Sequence, residues 1–199
     1  MASNAFDWPR IRKGAIVMAA VVAALWLIEG VDTLSNHALD QLGVRPWNLI
    51  GLDGILFAPL LHVSWAHVAA NSVPLFVLGT VLWASGLRQW IVATVTGWIT
   101  SGVLAWLLTP IHYVVIGASG VIFGWITYLV VRGFLSRRWP HIVLGLVVMF
   151  VYGSVLLGVF PMSTGVSWQS HLGGAIGGLL AAWLLFRRER RRRAKHSVI

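Results

Sequence analysis

The chain has 199 residues, of which 58% are hydrophobic and only 11% charged, and its mean hydropathy is +0.80. That composition excludes an ordinary soluble domain and identifies an integral membrane protein whose solvent is largely the bilayer. The net charge of +9 arises from 15 Lys and Arg against 6 acidic residues, and the absence of cysteine excludes disulfides, thiolate metal sites and a cysteine nucleophile.

About 20 apolar residues are needed to cross the hydrocarbon core. Six runs of roughly that kind follow one another, over residues 14–30, 66–85, 90–108, 117–134, 141–160 and 171–186. All are expected to be helices, because no water is present to satisfy an open backbone. The last is short and opens on His171, which places its start in a wet cavity or against protein. A cleaved signal peptide is the alternative for the first run, since Arg10, Arg12 and Lys13 precede it. The run is too long for a signal core, and its removal would spoil the charge pattern that follows.

Basic residues mark the cytoplasmic side of a membrane protein. They lie before run one, between runs two and three (Arg88), at the end of run four and between it and run five (Arg132, Arg137, Arg138) and after run six; of the 15, Arg45 alone falls in the opposite connections. Both termini are therefore expected in the cytoplasm. The expected fold is an all-α membrane protein, a six-transmembrane-helix bundle over residues 14–186. It is flanked by a cytoplasmic N-terminal tail, 1–13, and a basic cytoplasmic C-terminal tail, 187–199. The arginine-rich tail reads as an anchor against anionic lipid, and no nucleic acid is expected as a partner. The first external connection, from Val31 to about Trp65, is long and partly apolar. Its stretches Leu49–Leu52 and Ile55–Ala58 are too short to span, which suggests a membrane-associated or re-entrant segment. No internal repeat or separate soluble domain is evident.

Polar groups inside such runs are costly and face the bundle interior or a cavity. Three clusters stand out in chain order. His67 and Asn71, four apart, share one helical face, with His62 in the approach to it. Gly117, Gly120 and Gly124 form a small-residue stripe beside Ser119 at the start of run four. His171, Gly174 and Gly178 form a stripe on run six. Each cluster alone has an ordinary reading: interfacial histidines, a packing serine bonded to its own helix, a small-residue helix contact.

Together they supply the parts of one reaction. Serine is a weak nucleophile until a base takes its proton, and neutral imidazole does this near neutral pH. His171 fits that role if the two glycine stripes bring runs four and six together. The Asn71 amide, the His67 imidazole and the Ser119 backbone N–H are suitable donors for an oxyanion. Glu29, the sole acid within a run, has no evident route to His171, so the expectation is a Ser119–His171 dyad with no metal and no cofactor.

At these three motifs the chain resembles the rhomboid family of intramembrane serine proteases. Gly117-Ala118-Ser119-Gly120 is similar to the family's glycine-x-serine-glycine motif. His171, Gly174 and Gly178 match its histidine-glycine pattern, and His62, His67 and Asn71 match its second-helix pattern. The resemblance covers nearly the whole chain and implies a rhomboid-like bundle. It implies Ser119 as nucleophile, His171 as general base then acid, His67 and Asn71 at the oxyanion, and His62 as a structural position. Phe123 matches an aromatic, usually tyrosine, that packs against the histidine. The Trp-Arg dipeptide common in the family's first loop has no obvious counterpart at Arg45-Pro46-Trp47. Substrates implied are single spans of other membrane proteins, cut at small residues within the lipid bilayer of a prokaryotic cell. Span five and the connection 160–169, with Gly158, Pro161 and Gly165, are the implied lateral gate. A non-catalytic relative that binds membrane clients is the alternative reading, and a small transporter a weaker one, because inverted halves and paired broken helices are not evident. The oligomeric state stays open.

Overall fold

The computed structural model describes residues 7–161 and 165–196, with side chains as far as 192; the expected tail residues 1–6 and 197–199 and part of the expected gate, 162–164, lie outside the described residues. Among the described residues six helices are long and apolar enough to cross a membrane. We number them α1 (Trp8–Leu34), α2 (Trp65–Ser85), α3 (Leu87–Leu108), α4 (Ser119–Ser136), α5 (Trp139–Tyr152) and α6 (Trp168–His196). α5 continues as a 3-10 segment, Gly153–Val159.

Helix ends follow local chemistry. Asp7 caps α1 by accepting from the Arg10 N–H at 3.1 Å, and Pro9 sits in the first turn, where no N–H is needed. Ser64 caps α2 by accepting from the His67 N–H at 3.2 Å. The turn from α2 to α3 is a single residue, Gly86, at φ +139°, a conformation that a side chain would strain. Most helices are longer than the apolar runs that announce them. α1 begins six residues earlier, at Trp8, because charged first turns lie outside hydrocarbon and leave no hydropathy signal. α6 begins at Trp168 and runs on through the arginines to His196, so the expected boundary at Phe186 falls inside one continuous helix.

α4 is the axis of the bundle. Val121, Ile122, Phe123, Trp125, Ile126, Tyr128 and Leu129 on its successive faces are all buried, so it is enclosed by protein rather than lipid. Trp125 donates its ring N–H to Thr94 Oγ1 of α3 at 3.0 Å, satisfying the one polar atom of a buried indole.

The first connection is structured. It contains a short helix, Gly54–Phe57, between 3-10 turns at Leu49–Leu52 and Ala58–Leu60, an apolar segment too short to span. Trp98 and Trp106 of α3 hold it by donating to the Ile55 and Asn48 carbonyls at 2.7 and 3.0 Å. Val44 and Val115 exchange both backbone hydrogen bonds at 3.0 Å, tying this connection to the segment that leads into α4. Two residues on, the Gly117 N–H donates to the Ala58 carbonyl at 2.8 Å. The first loop is thus the mould against which the start of α4 is set.

Candidate active site

Glycine decides how closely α4 and α6 approach. A Cβ at Gly174 would collide with the Gly120 carbonyl, and one at Gly178 with the Gly124 carbonyl. Backbone meets backbone there, as small-residue stripes allow in a bilayer. α6 has a second glycine face that sequence reasoning missed: Gly173 and Gly177 lie against the Thr100 and Thr96 carbonyls of α3. Thr100 Oγ1 donates to the Gly173 carbonyl at 2.6 Å, and Ser101 and Ser170 join their hydroxyls at 2.7 Å in a buried contact. The doublets Gly173-Gly174 and Gly177-Gly178, each pair pointing two ways around a helix, were the available signal.

This packing brings His171 Nε2 to 2.8 Å from Ser119 Oγ. The other ring nitrogen, Nδ1, is 3.0 Å from the Gly158 carbonyl oxygen, in the 3-10 segment after α5. A carbonyl only accepts, so Nδ1 carries the proton and Nε2 presents a lone pair to the serine hydroxyl. The tautomer needed to deprotonate serine is therefore set by a main-chain group, with no carboxylate involved. Phe123, one turn after Ser119, stacks on the imidazole with centroids 4.0 Å apart and planes within 9°. His171 is 7% exposed while Ser119 is half-buried, so the base is enclosed and the hydroxyl stays reachable.

His62 and His67 reach the same end of α4, and Asn71 follows His67 by one turn on α2. Gly117 has φ +123°, and a Cβ there would stand 2.9 Å from His67 Nε2, so the Cε1–Nε2 edge of the histidine ring lies against this glycine, two residues before the serine. Asn71, 6% exposed, keeps its amide nitrogen buried and without a partner. An unpaired buried donor is costly and calls for a ligand that accepts from it. His62 and His67 meet edge to face with centroids 4.9 Å apart. Burial, and then the neighbouring His67, push the His62 imidazole down to about 4, so it is neutral at physiological pH. Its Nε2 faces the Ala118 N–H at 3.5 Å, a long contact that supports the turn before Ser119. Ala118 offers no side-chain cap, so the Ser119 and Gly120 N–H groups stand at the positive end of a helix ahead of the first turn bond, Val121 N–H to the Ala118 carbonyl.

Sequence reasoning also missed the Gly158 carbonyl as partner of His171. A backbone oxygen leaves no side-chain signature. Only the crowding of glycines around span five hinted that the chain there runs close to something.

Known proteins resemble this chain over most of its length. The Rhomboid domain pattern matches residues 47–188. An uncharacterized protein of Mycobacterium tuberculosis is 45% identical over 196 residues, covering 94% of this chain and 81% of its own length. A protein of Bacillus subtilis described as a putative rhomboid protease is 25% identical over 185 residues, 87% of this chain and 88% of its own. The rhomboid protease GluP of the same organism is 28% identical over 173 residues, 84% of this chain and 33% of its own. With six membrane-crossing helices and a domain match over most of its length, the chain is a multi-pass membrane protein and belongs to the rhomboid family.

Proposed function

We propose that this protein is an intramembrane serine endopeptidase that cuts transmembrane segments of other membrane proteins with a Ser119–His171 dyad. The observation that carries the reading is the His171 imidazole, held at 2.8 Å from Ser119 Oγ by one nitrogen and at 3.0 Å from the Gly158 carbonyl by the other. Imidazole takes the hydroxyl proton as Ser119 attacks the scissile carbonyl, then returns it to the leaving amine. A water molecule activated by the same nitrogen hydrolyses the acyl-enzyme. Negative charge on the tetrahedral oxygen is met by the Ser119 N–H, the Asn71 amide and the His67 imidazole; the His67 ring beside Gly117 and the buried, unpartnered Asn71 amide support that role.

A single-span substrate enters sideways past α5 and unwinds near the half-buried serine. Gly or Pro in the substrate lowers the cost of opening its helix, and small residues at the cut fit the confined space. The distribution of Lys and Arg supports cytoplasmic termini in a bacterial plasma membrane, with Ser119 toward the outer face.

Cleavage of a transmembrane substrate by the purified protein in proteoliposomes tests the reading. Ser119→Ala and His171→Ala each lower the rate by at least about 1,000-fold with the fold intact. Cleavage that survives both changes contradicts it. So does a wild type that binds the substrate and never cuts it, the behaviour of a client-binding relative.

A further inference from the structure

Glu29 takes no part in the dyad, yet it is 1% exposed and neither carboxylate oxygen has a hydrogen-bond partner. It lies one turn before Asp32 on the same face of α1, and Asp32 is also buried. Immediately after α1 the chain doubles back through Asn36 and His37, both in the left-handed region, at φ 52° and 59°. This turn lays the His37 ring on the Asp32 carboxylate, with Nδ1 to Oδ2 at 3.2 Å, and brings Asp40 within 4.0 Å of the same nitrogen. One donor atom from each of Asp32, His37 and Asp40 lies within 4.8 Å of the other two; among the described residues this is the one group of three with such geometry. Glu29 is not part of this group of three, and its oxygens influence it only electrostatically, from one turn back along α1. The second Asp40 oxygen is also buried without a partner.

We propose that Asp32, His37 and Asp40 form a binding site for one divalent first-row cation, zinc by its donor set, which clamps the first loop to the end of α1, with the buried Glu29 one turn back as a further acidic group beside it. Two carboxylates against one imidazole concentrate negative charge, and Glu29 adds a further acid one turn back. A dication bound by the three donors offsets that charge and gives the buried Asp40 oxygen a partner. At zinc bond lengths near 2.0–2.1 Å, donors of a tetrahedral site stand about 3.3 Å apart, and the two separations at His37 Nδ1, 3.2 and 4.0 Å, bracket that value. A mixed nitrogen and carboxylate set favours zinc over magnesium or calcium, which want six or more oxygens. Access exists from one side: the His37 side chain is 49% exposed, against 2% for Asp32.

The consequence is mechanical. Asp32 already accepts from the Leu39 N–H at 2.7 Å, so the cation would bear on the start of the first loop, whose later residues set the position of Gly117. The test uses tag-free, chelator-treated full-length protein in detergent, titrated with ZnCl2 and followed by calorimetry, elemental analysis after desalting and thermal unfolding. Expected are one zinc per chain and a rise in Tm of about 5 °C at a hundredfold excess over Kd, with none from equal magnesium or calcium. His37→Ala and Asp40→Asn each weaken zinc binding at least tenfold, while their metal-free unfolding stays cooperative. Absence of saturable zinc binding to the wild type overturns the proposal. So does equal binding by both variants, which would move the metal to other histidines, or an equal response to magnesium or calcium.

Discussion

His171 is held from two sides that are built differently. On one side α4 and α6, with 61% and 56% of their membrane-crossing windows buried in protein, meet backbone to backbone through glycines. On the other, the Gly158 carbonyl belongs to the continuation of α5, of which only 11% is buried, and Phe150 of that helix is 91% exposed. The first contact sets the distance between base and nucleophile. The second sets which nitrogen carries the proton. The contrast teaches that a dyad can divide its requirements: the distance rests on a pair of helices that cannot separate cheaply, and the tautomer on an element that lipid alone surrounds for most of its surface. Movement of α5 to admit a substrate would therefore disturb the orientation of the base before its distance.

The comparison is broken most severely on the tight side. Gly174→Val places a branched side chain against the Gly120 carbonyl, where backbone cannot yield. A loss of at least about 3 kcal/mol in stability is expected, together with loss of cleavage, measured by thermal unfolding in detergent beside a substrate assay. On the open side Gly158→Ala adds a methyl 3.0 Å from His171 Nδ1 and 3.1 Å from Phe123 Cζ, at a residue whose φ tolerates a side chain. Its effect falls on chemistry rather than folding: kcat lower by roughly 10–100-fold with Tm nearly unchanged. Equal damage to Tm would erase the distinction between the two sides.

Phe123 belongs to α4 and braces the imidazole from the tight side. Phe123→Ala removes the stacked face and lowers kcat roughly tenfold, while Phe123→Tyr keeps the ring and stays within about threefold, as read from initial rates. A further effect, on stability alone, concerns His62, in the approach to α2. Its folded imidazole titrates near 4, so between 6.5 and 4 the unfolded chain binds a proton that the folded chain refuses. Stability from this group is full above 6.5 and declines as pH falls toward 4, by about 3 kcal/mol in all. Unfolding at pH 7.5 and 5 should show a shallower pH dependence in His62→Asn than in the wild type.

Much of the tight side was legible in the sequence. The stripes at Gly120 and Gly124 and at Gly174 and Gly178 are side-chain deletions with helical spacing, and spacing is a quantity that sequence carries directly. Ser119 and His171 stood out because a polar group in hydrocarbon needs a reason. The open side was nearly invisible, since the partner of His171 Nδ1 is a main-chain oxygen common to every residue. The same holds for the Val44 and Val115 pairing and for the Gly117 contact with Ala58, which are backbone bonds between distant loops. The second glycine face of α6 was readable in its doublets but needed a third helix to give it meaning. Helix ends in the headgroup region, such as Trp8 on α1, were missed because polar residues there are compatible with helix and loop alike.

The central claim is that His171 activates Ser119, and labelling by a fluorophosphonate probe in detergent, with the modified peptide identified by mass spectrometry, measures this most directly. The account predicts one adduct, on Ser119, in the wild type, and its loss in His171→Ala protein that unfolds at the wild-type temperature. An adduct on another residue, or equal labelling of Ser119 without the histidine, would contradict it.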